Sequence, residues 1–109
     1  MAAQSHRLAR ADFDTYRRAP AKNTTHFRIQ YAHHTLPYGK YAVIVPKKAV
    51  SGAVKRHFIK RRVREALRLW LQNPMVLIIT ARQGAERLSY TEIEGELSEA
   101  LRDILPTRP

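Results

Sequence analysis

No cysteine occurs among the 109 residues of this chain. That excludes a disulfide scaffold, a thiol nucleophile and a Cys-ligated zinc or iron–sulfur site. It also suits a reducing compartment. Long apolar runs are missing as well. The longest, Met75 to Ala81, spans seven residues with Thr80 inside it, against the roughly 18 a membrane span requires. The N-terminal MAAQSHRLARADF lacks the charged-then-apolar layout of a secretory signal. Acidic residues are few, 9 against 20 Lys and Arg, for a formal net charge of +11. What remains is one soluble, cytoplasmic domain over residues 1–109, with residues 1–8 and 106–109 frayed. A 44% hydrophobic content supplies a core and argues against disorder. The charge predicts a polyanionic partner and no membrane association.

The charge is concentrated. Residues 40–70 hold 10 basic side chains and 1 acidic one, net +9, whereas residues 83–109 hold 3 and 6, net −3. A basic block beside an acidic tail points to a localised anion-binding surface. This block also carries Val43, Ile44, Val45, Ile59, Val63, Leu67 and Trp70, so it belongs to folded elements.

The periodicities predict the order α-β-β-α-β-α. A short helix runs from about Arg10 to Arg18, with Asp12 as an early charge or cap and Phe13 and Tyr16 on one face. Pro20 and the polar run Lys22 to Thr25 break it. Phe27, Ile29 and Tyr31 alternate with Arg28 and Gln30, which is a strand with one apolar-aromatic face. His33 to Gly39 reads as a hairpin loop. Tyr41 to Val45 is apolar on both faces and predicts a central strand. A long helix follows from about Ala53 to Gln72 and stops at Asn73-Pro74. Met75 to Thr80 is a second buried strand. Ser89 with Glu92 matches a capping box opening the last helix, whose apolar stripe is Ile93, Leu97, Ala100, Leu101 and Ile104. Two apolar strands flanking a helix make a βαβ unit.

Turning about 100° per residue from Ile59, Val63, Ala66, Leu67, Trp70 and Leu71 gather on one side of the long helix. His57, Lys60, Arg61, Arg64 and Arg68 gather on the adjoining side. Residues 55–68 hold seven Lys or Arg and one Glu, so the acids that would balance a merely solvated helix are missing. Such a row can neutralise successive phosphates and release counterions, and an Arg can pair with one phosphate through two hydrogen bonds. Phe13, Tyr16, Phe27 and Tyr31 either pack in the core or stack on unpaired bases. Trp70 belongs to the core.

Catalytic chemistry finds little support. Glu92, Glu96 and Glu99 have the spacing of a solvated helix face. His33-His34 sits in a loop without Cys or HExxH partners for a metal. Ser51-Gly52 lacks the order of a phosphate loop.

The stretch from Val45 to Ala66, VPKKAVSGAVKRHFIKRRVREA, resembles the signature of the bacterial ribonuclease P protein subunit: a strand, a Lys-Lys turn, then an Arg-Asn-Arg helix continuing Ile-Lys-Arg-x-x-Arg-Glu. Arg10-Ala11-Asp12-Phe13 is similar to the family's opening Arg-x-Asp-Phe. Phe27 to Tyr31 is similar to its first strand, and Ile78 to Arg82 with Leu88-Ser89-Tyr90 to its last strand and helix. The resemblance covers roughly residues 7–105. It departs at Arg56-His57-Phe58, where Phe58 replaces the second Arg. By the wheel Phe58 points away from Lys60 and Arg64, so it packs locally or stacks. It departs again at Arg17, where the first helix of the family has a second aromatic.

The resemblance implies a single α/β domain with a four-stranded sheet and a left-handed βαβ crossover, against the general rule. It implies a subunit that joins a catalytic RNA and grips the 5′ leader of precursor tRNA, with hydrolysis carried out by the RNA and its Mg²⁺. The protein itself then has no catalytic residue and no bound metal. Lys47, Lys48, Arg56, His57, Lys60, Arg61 and Arg64 are expected to face the catalytic RNA, with Arg68 added on charge pattern alone. Phe13, Tyr16, Phe27 and Tyr31 are expected at the leader cleft. The alternatives are a general, ribosome-associated RNA-binding protein, a protein-only nuclease, and a DNA-binding helix-turn-helix. The last is disfavoured because the basic helix lies between two strands.

Overall fold

A computed structural model describes residues 6–33 and 37–105. In chain order the elements are α1 (Phe13–Tyr16), β1 (Ala21–Asn23), β2 (Phe27–His33), β3 (Lys40–Ile44), α2 (Ala53–Leu67), β4 (Met75–Ala81) and α3 (Tyr90–Ile104). Short 3-10 turns occupy Arg10–Asp12, Arg68–Trp70 and Ala85–Arg87. The single sheet has the order β1-β2-β4-β3. Only the β3–β4 pair is parallel among its described neighbours, joined by the α2 crossover.

β4 is the central strand. It pairs with β2 from Phe27↔Ala81 to His33↔Met75 and with β3 from Lys40↔Val76 to Ile44↔Thr80. Both its faces are covered, which is why it reads as one apolar run. Met75, Leu77, Ile79 and Ala81 point to the side that α2 and α3 cover, with Phe27, Ile29, Tyr31, Tyr41 and Val43. Ile59, Val63, Ala66, Leu67 and Trp70 of α2 and its 3-10 turn close this core, as do Ile93, Leu97, Ala100 and Leu101 of α3. Each fully buried aliphatic side chain contributes about 1.5–3 kcal/mol by leaving water. Val76 and Ile78 point to the other side, where Leu8, Phe13, Tyr16 and Ala42 form a smaller cluster.

Several sequence expectations are corrected. Tyr41 to Ile44 lies in an edge strand, and its outer rim is covered instead by the chain's beginning. Tyr41 N–H donates to His6 O, and Leu8 N–H donates to Tyr41 O, each at 2.7 Å. Residues 6–8 are therefore tied down, with Leu8 buried; residues 1–5 and 106–109 lie outside the description. The link from β2 to β3 is no hairpin, because β4 inserts between them. His33 ends β2 rather than starting the loop, while His34 lies outside the described residues. A three-residue β1 pairs with β2 from Ala21↔Gln30 to Asn23↔Arg28, where the sequence shows only a polar break. The first helix is one turn long, and Asp12 makes no side-chain cap bond. Gly39 is required by close approach: a Cβ there would meet Asn73 O at 2.8 Å.

Candidate nucleic-acid interface

α2 begins after Gly52, whose φ of 95° favours glycine, and its N-cap supplies no side-chain hydrogen bond. Arg56 assists from inside the first turns: its guanidinium donates to Val50 O at 3.1 Å. That contact ties α2 to the turn carrying the exposed Lys47 and Lys48. Arg56 is half-buried and so has a positioning part as well as a charge. Beyond it, His57, Arg61 and Arg68 are exposed on one side of α2 and its 3-10 turn, and Lys60 and Arg64 are half-buried. Arg68 forms an ion pair with Glu65 at 3.5 Å between two largely exposed side chains, which contributes little.

The cationic arc divides into two parts. Lys60 and Arg64 line a groove of about 170 Å³ with Arg7, Leu8, Phe13, Tyr41, Ala42 and Val43. Here α2, the edge strand β3 and the segment before α1 converge, so two cations from the helix meet an aromatic ring from α1. His57, Arg61 and Arg68 stay outside this groove. Lys47 and Lys48 line a separate, polar hollow with Ser51, Gln83, Glu86 and Arg87, between the loops that follow β3 and β4.

The four aromatics are not brought to one cleft. Phe27 is wholly buried, at 0% exposure, and is corrected from a leader-cleft residue to a core residue. Its side of β2 faces α2 and α3, and the register opposite Ala81 seals it. Tyr31 shares that face but is half-buried at the far end. It lines a hollow of about 550 Å³ with Tyr16, Arg18, His33, Met75 and Ile104. This hollow opens beside the end of β2 that the short β1 does not flank. Phe13 and Tyr16, three residues apart, thus open onto different hollows. Gln30 fixes the chain after α1 by donating to Arg17 O at 2.9 Å.

Sequence reasoning missed Arg7, Tyr41 and Arg87 as lining residues. Arg7 fell in a segment read as frayed, and nothing local reveals that it pairs with β3. The acidic side of the molecule is structural. Glu96 of α3 accepts from Thr24 Oγ1 and from the His26 N–H at 2.7 Å, and its Oε1 lies 2.8 Å from His26 Nδ1. Burial raises the Glu96 pKa, but the hydrogen bonds from Thr24 and His26 outweigh it and hold the carboxyl below its ordinary value. Among the described residues no group of three or more His, Asp or Glu could hold a metal. No helix among them is long and apolar enough to cross a membrane.

The Ribonuclease P family matches residues 1–105 of the chain. The chain is similar to the ribonuclease P protein component of Syntrophobacter fumaroxidans, 37% identical over 78 residues, 68% of this chain and 65% of the relative. It is also similar to that of Marinobacter nauticus, 32% identical over 103 residues, 88% of this chain and 76% of the relative. The match thus spans just under two thirds of the first relative's length. Among solved structures, the RNase P protein of Staphylococcus aureus superposes with a TM-score of 0.79 at 24% identity, covering 92% of this chain and 95% of that one.

Proposed function

The chain belongs to the ribonuclease P protein family, and from that premise we propose that it is the protein subunit of ribonuclease P, docking on the catalytic RNA and holding the 5′ leader of precursor tRNA. The observation that carries this reading is the groove in which Lys60 and Arg64 meet Phe13 beside β3. A single strand offers phosphates at regular spacing and flat bases between them, and this groove offers cations and a half-exposed ring. The exposed His57, Arg61 and Arg68, with Lys47 and Lys48 on the turn that Arg56 secures, face the catalytic RNA. Lys60 and Arg64 lie at the seam, where both RNAs come within reach. Tyr16 and Tyr31 extend the leader path through the second hollow.

In this reading the protein holds and orients, and the RNA supplies the Mg²⁺-dependent hydrolysis of the phosphodiester. Neutralising backbone charge favours the assembled state at low Mg²⁺, where the two RNAs otherwise repel. The enzyme works in the cytoplasm. The test is precursor-tRNA cleavage by the catalytic RNA at low Mg²⁺, with and without the protein. Stimulation is expected. No stimulation sinks the reading, and cleavage by the protein alone makes it a nuclease in its own right.

A further inference from the structure

Besides its apolar and cationic arcs, α2 has a third flank, which exposes large apolar side chains among its charged ones. Val54 is 69% exposed and Phe58 47% exposed along it, and Tyr90, at the start of α3, is 37% exposed beside it. Phe58 adds nothing to the core. It lines instead a pocket of about 340 Å³ with Arg61, Arg62, Glu65 and Tyr90.

One wall of this pocket is held in place. The Arg62 guanidinium sits 5.8 Å from the centre of the Phe58 ring, within cation–π range. The same guanidinium donates to Leu88 O at 3.2 Å, which pins it across the junction of α2 and α3, two residues before Tyr90. Glu65 is partly neutralised by Arg68. Arg61 belongs to the exposed cationic arc and lines this pocket too, so the pocket continues the charged face rather than standing apart from it. A flat ring, a second aromatic, two guanidinium groups and one acceptor match a base with its phosphate. An apolar protein surface would instead cover the exposed Arg61 without offering it an opposite charge.

We propose that this pocket takes one unpaired nucleobase of the catalytic RNA, stacked on Phe58 with Tyr90 as its second wall, Arg61 on the adjoining phosphate and Glu65 accepting from the base edge. The assignment rests on the reading that the chain docks on that RNA. It gives the flank a chemical part that charge alone does not: it selects an extruded base, where the neighbouring cations select only backbone.

The test is equilibrium binding of the full chain to the transcribed catalytic RNA over a salt series. Phe58→Ala should weaken binding about tenfold, as loss of one stacking aromatic does, and leave the salt slope unchanged, because stacking releases no counterion. Phe58→Trp should bind like the unaltered chain, and Phe58→Leu should be as weak as Phe58→Ala. Arg61→Ala should instead lower the slope by about one. Chemical probing of the RNA should show one unpaired base that the unaltered chain protects and Phe58→Ala exposes. The ring is half exposed, so the melting curves should coincide and exclude misfolding. If the unaltered chain binds tightly and Phe58→Ala binds equally well, or if Leu serves as well as Trp, the stacking site is overturned and the docking stands. If the unaltered chain does not bind the RNA, the docking falls and the stacking site with it.

Discussion

Helices α2 and α3 are each 15 residues long and pack on the same side of the sheet. α3 agrees with itself locally. Ser89 accepts from the Glu92 N–H and Glu92 returns the bond to the Ser89 N–H, at 3.2 and 3.0 Å. Glu92 also places a negative charge at the positive end of the helix. Lys22 pairs with Asp103, and Glu96 holds Thr24 and His26, so α3 anchors the β1–β2 turn. α2 violates these rules. Its first turn has no acid, its N-cap has no side-chain bond, and Lys55 and Arg56 put positive charge where the helix dipole disfavours it. It stays helical because Ile59, Val63, Ala66 and Leu67 are buried. One helix is optimised for holding the fold, and the other keeps an unfavourable charge pattern that a polyanion would relieve.

That contrast can be broken or sharpened by substitution. The largest effect should come from α3. Leu97→Ala, at a site 1% exposed, should cost about 3 kcal/mol in denaturant unfolding and leave the RNA affinity of the folded protein unchanged. A parallel loss of affinity would break the division of labour. In α2, Arg64→Ala should weaken RNA binding and flatten its salt dependence by about one unit of slope, with little change in the melting temperature. An unchanged slope removes Arg64 from the contact surface.

Next, Ser89→Ala should destabilise by about 1 kcal/mol by removing half of the capping box. A smaller, pH-dependent effect belongs to Glu96. Its carboxyl is held below the ordinary value of 4.5 in the folded chain, so its contribution is complete above about that pH and is lost as pH falls through the lower folded value. The stability lead of the unaltered chain over Glu96→Gln should therefore be full at pH 7 and shrink on acidification below 4.5. A lead that is constant down to pH 3 would remove the ionised carboxylate as its cause. The smallest effect is expected for Glu65→Gln. In the free chain it breaks the exposed pair with Arg68 and should shift stability by at most about 0.5 kcal/mol.

Much of this was legible in the chain. The Ser89 capping box, the apolar stripe of α3, the βαβ unit and the separation of apolar from cationic sides of α2 all follow from local spacing. Three features were not legible. β1 is too short to show a period. The edge position of β3 was hidden because α2 and residues 6–8 cover it and permit the apolar composition of an inner strand. Phe27 could not be assigned from alternation alone, since period two says that Phe27, Ile29 and Tyr31 share a face without saying which face the helices cover.

By itself, then, the sequence determined the longer elements, their order and the presence of one cationic helix, because helix and strand periods are set by neighbours a few residues apart. Only the tertiary structure decided that Lys60 and Arg64 meet Phe13 and Arg7, that Phe27 is sealed away, and that Phe58 stands beside Arg62 and Tyr90. Those meetings depend on strand order and helix placement, which bring together residues far apart in the chain and which no local spacing encodes.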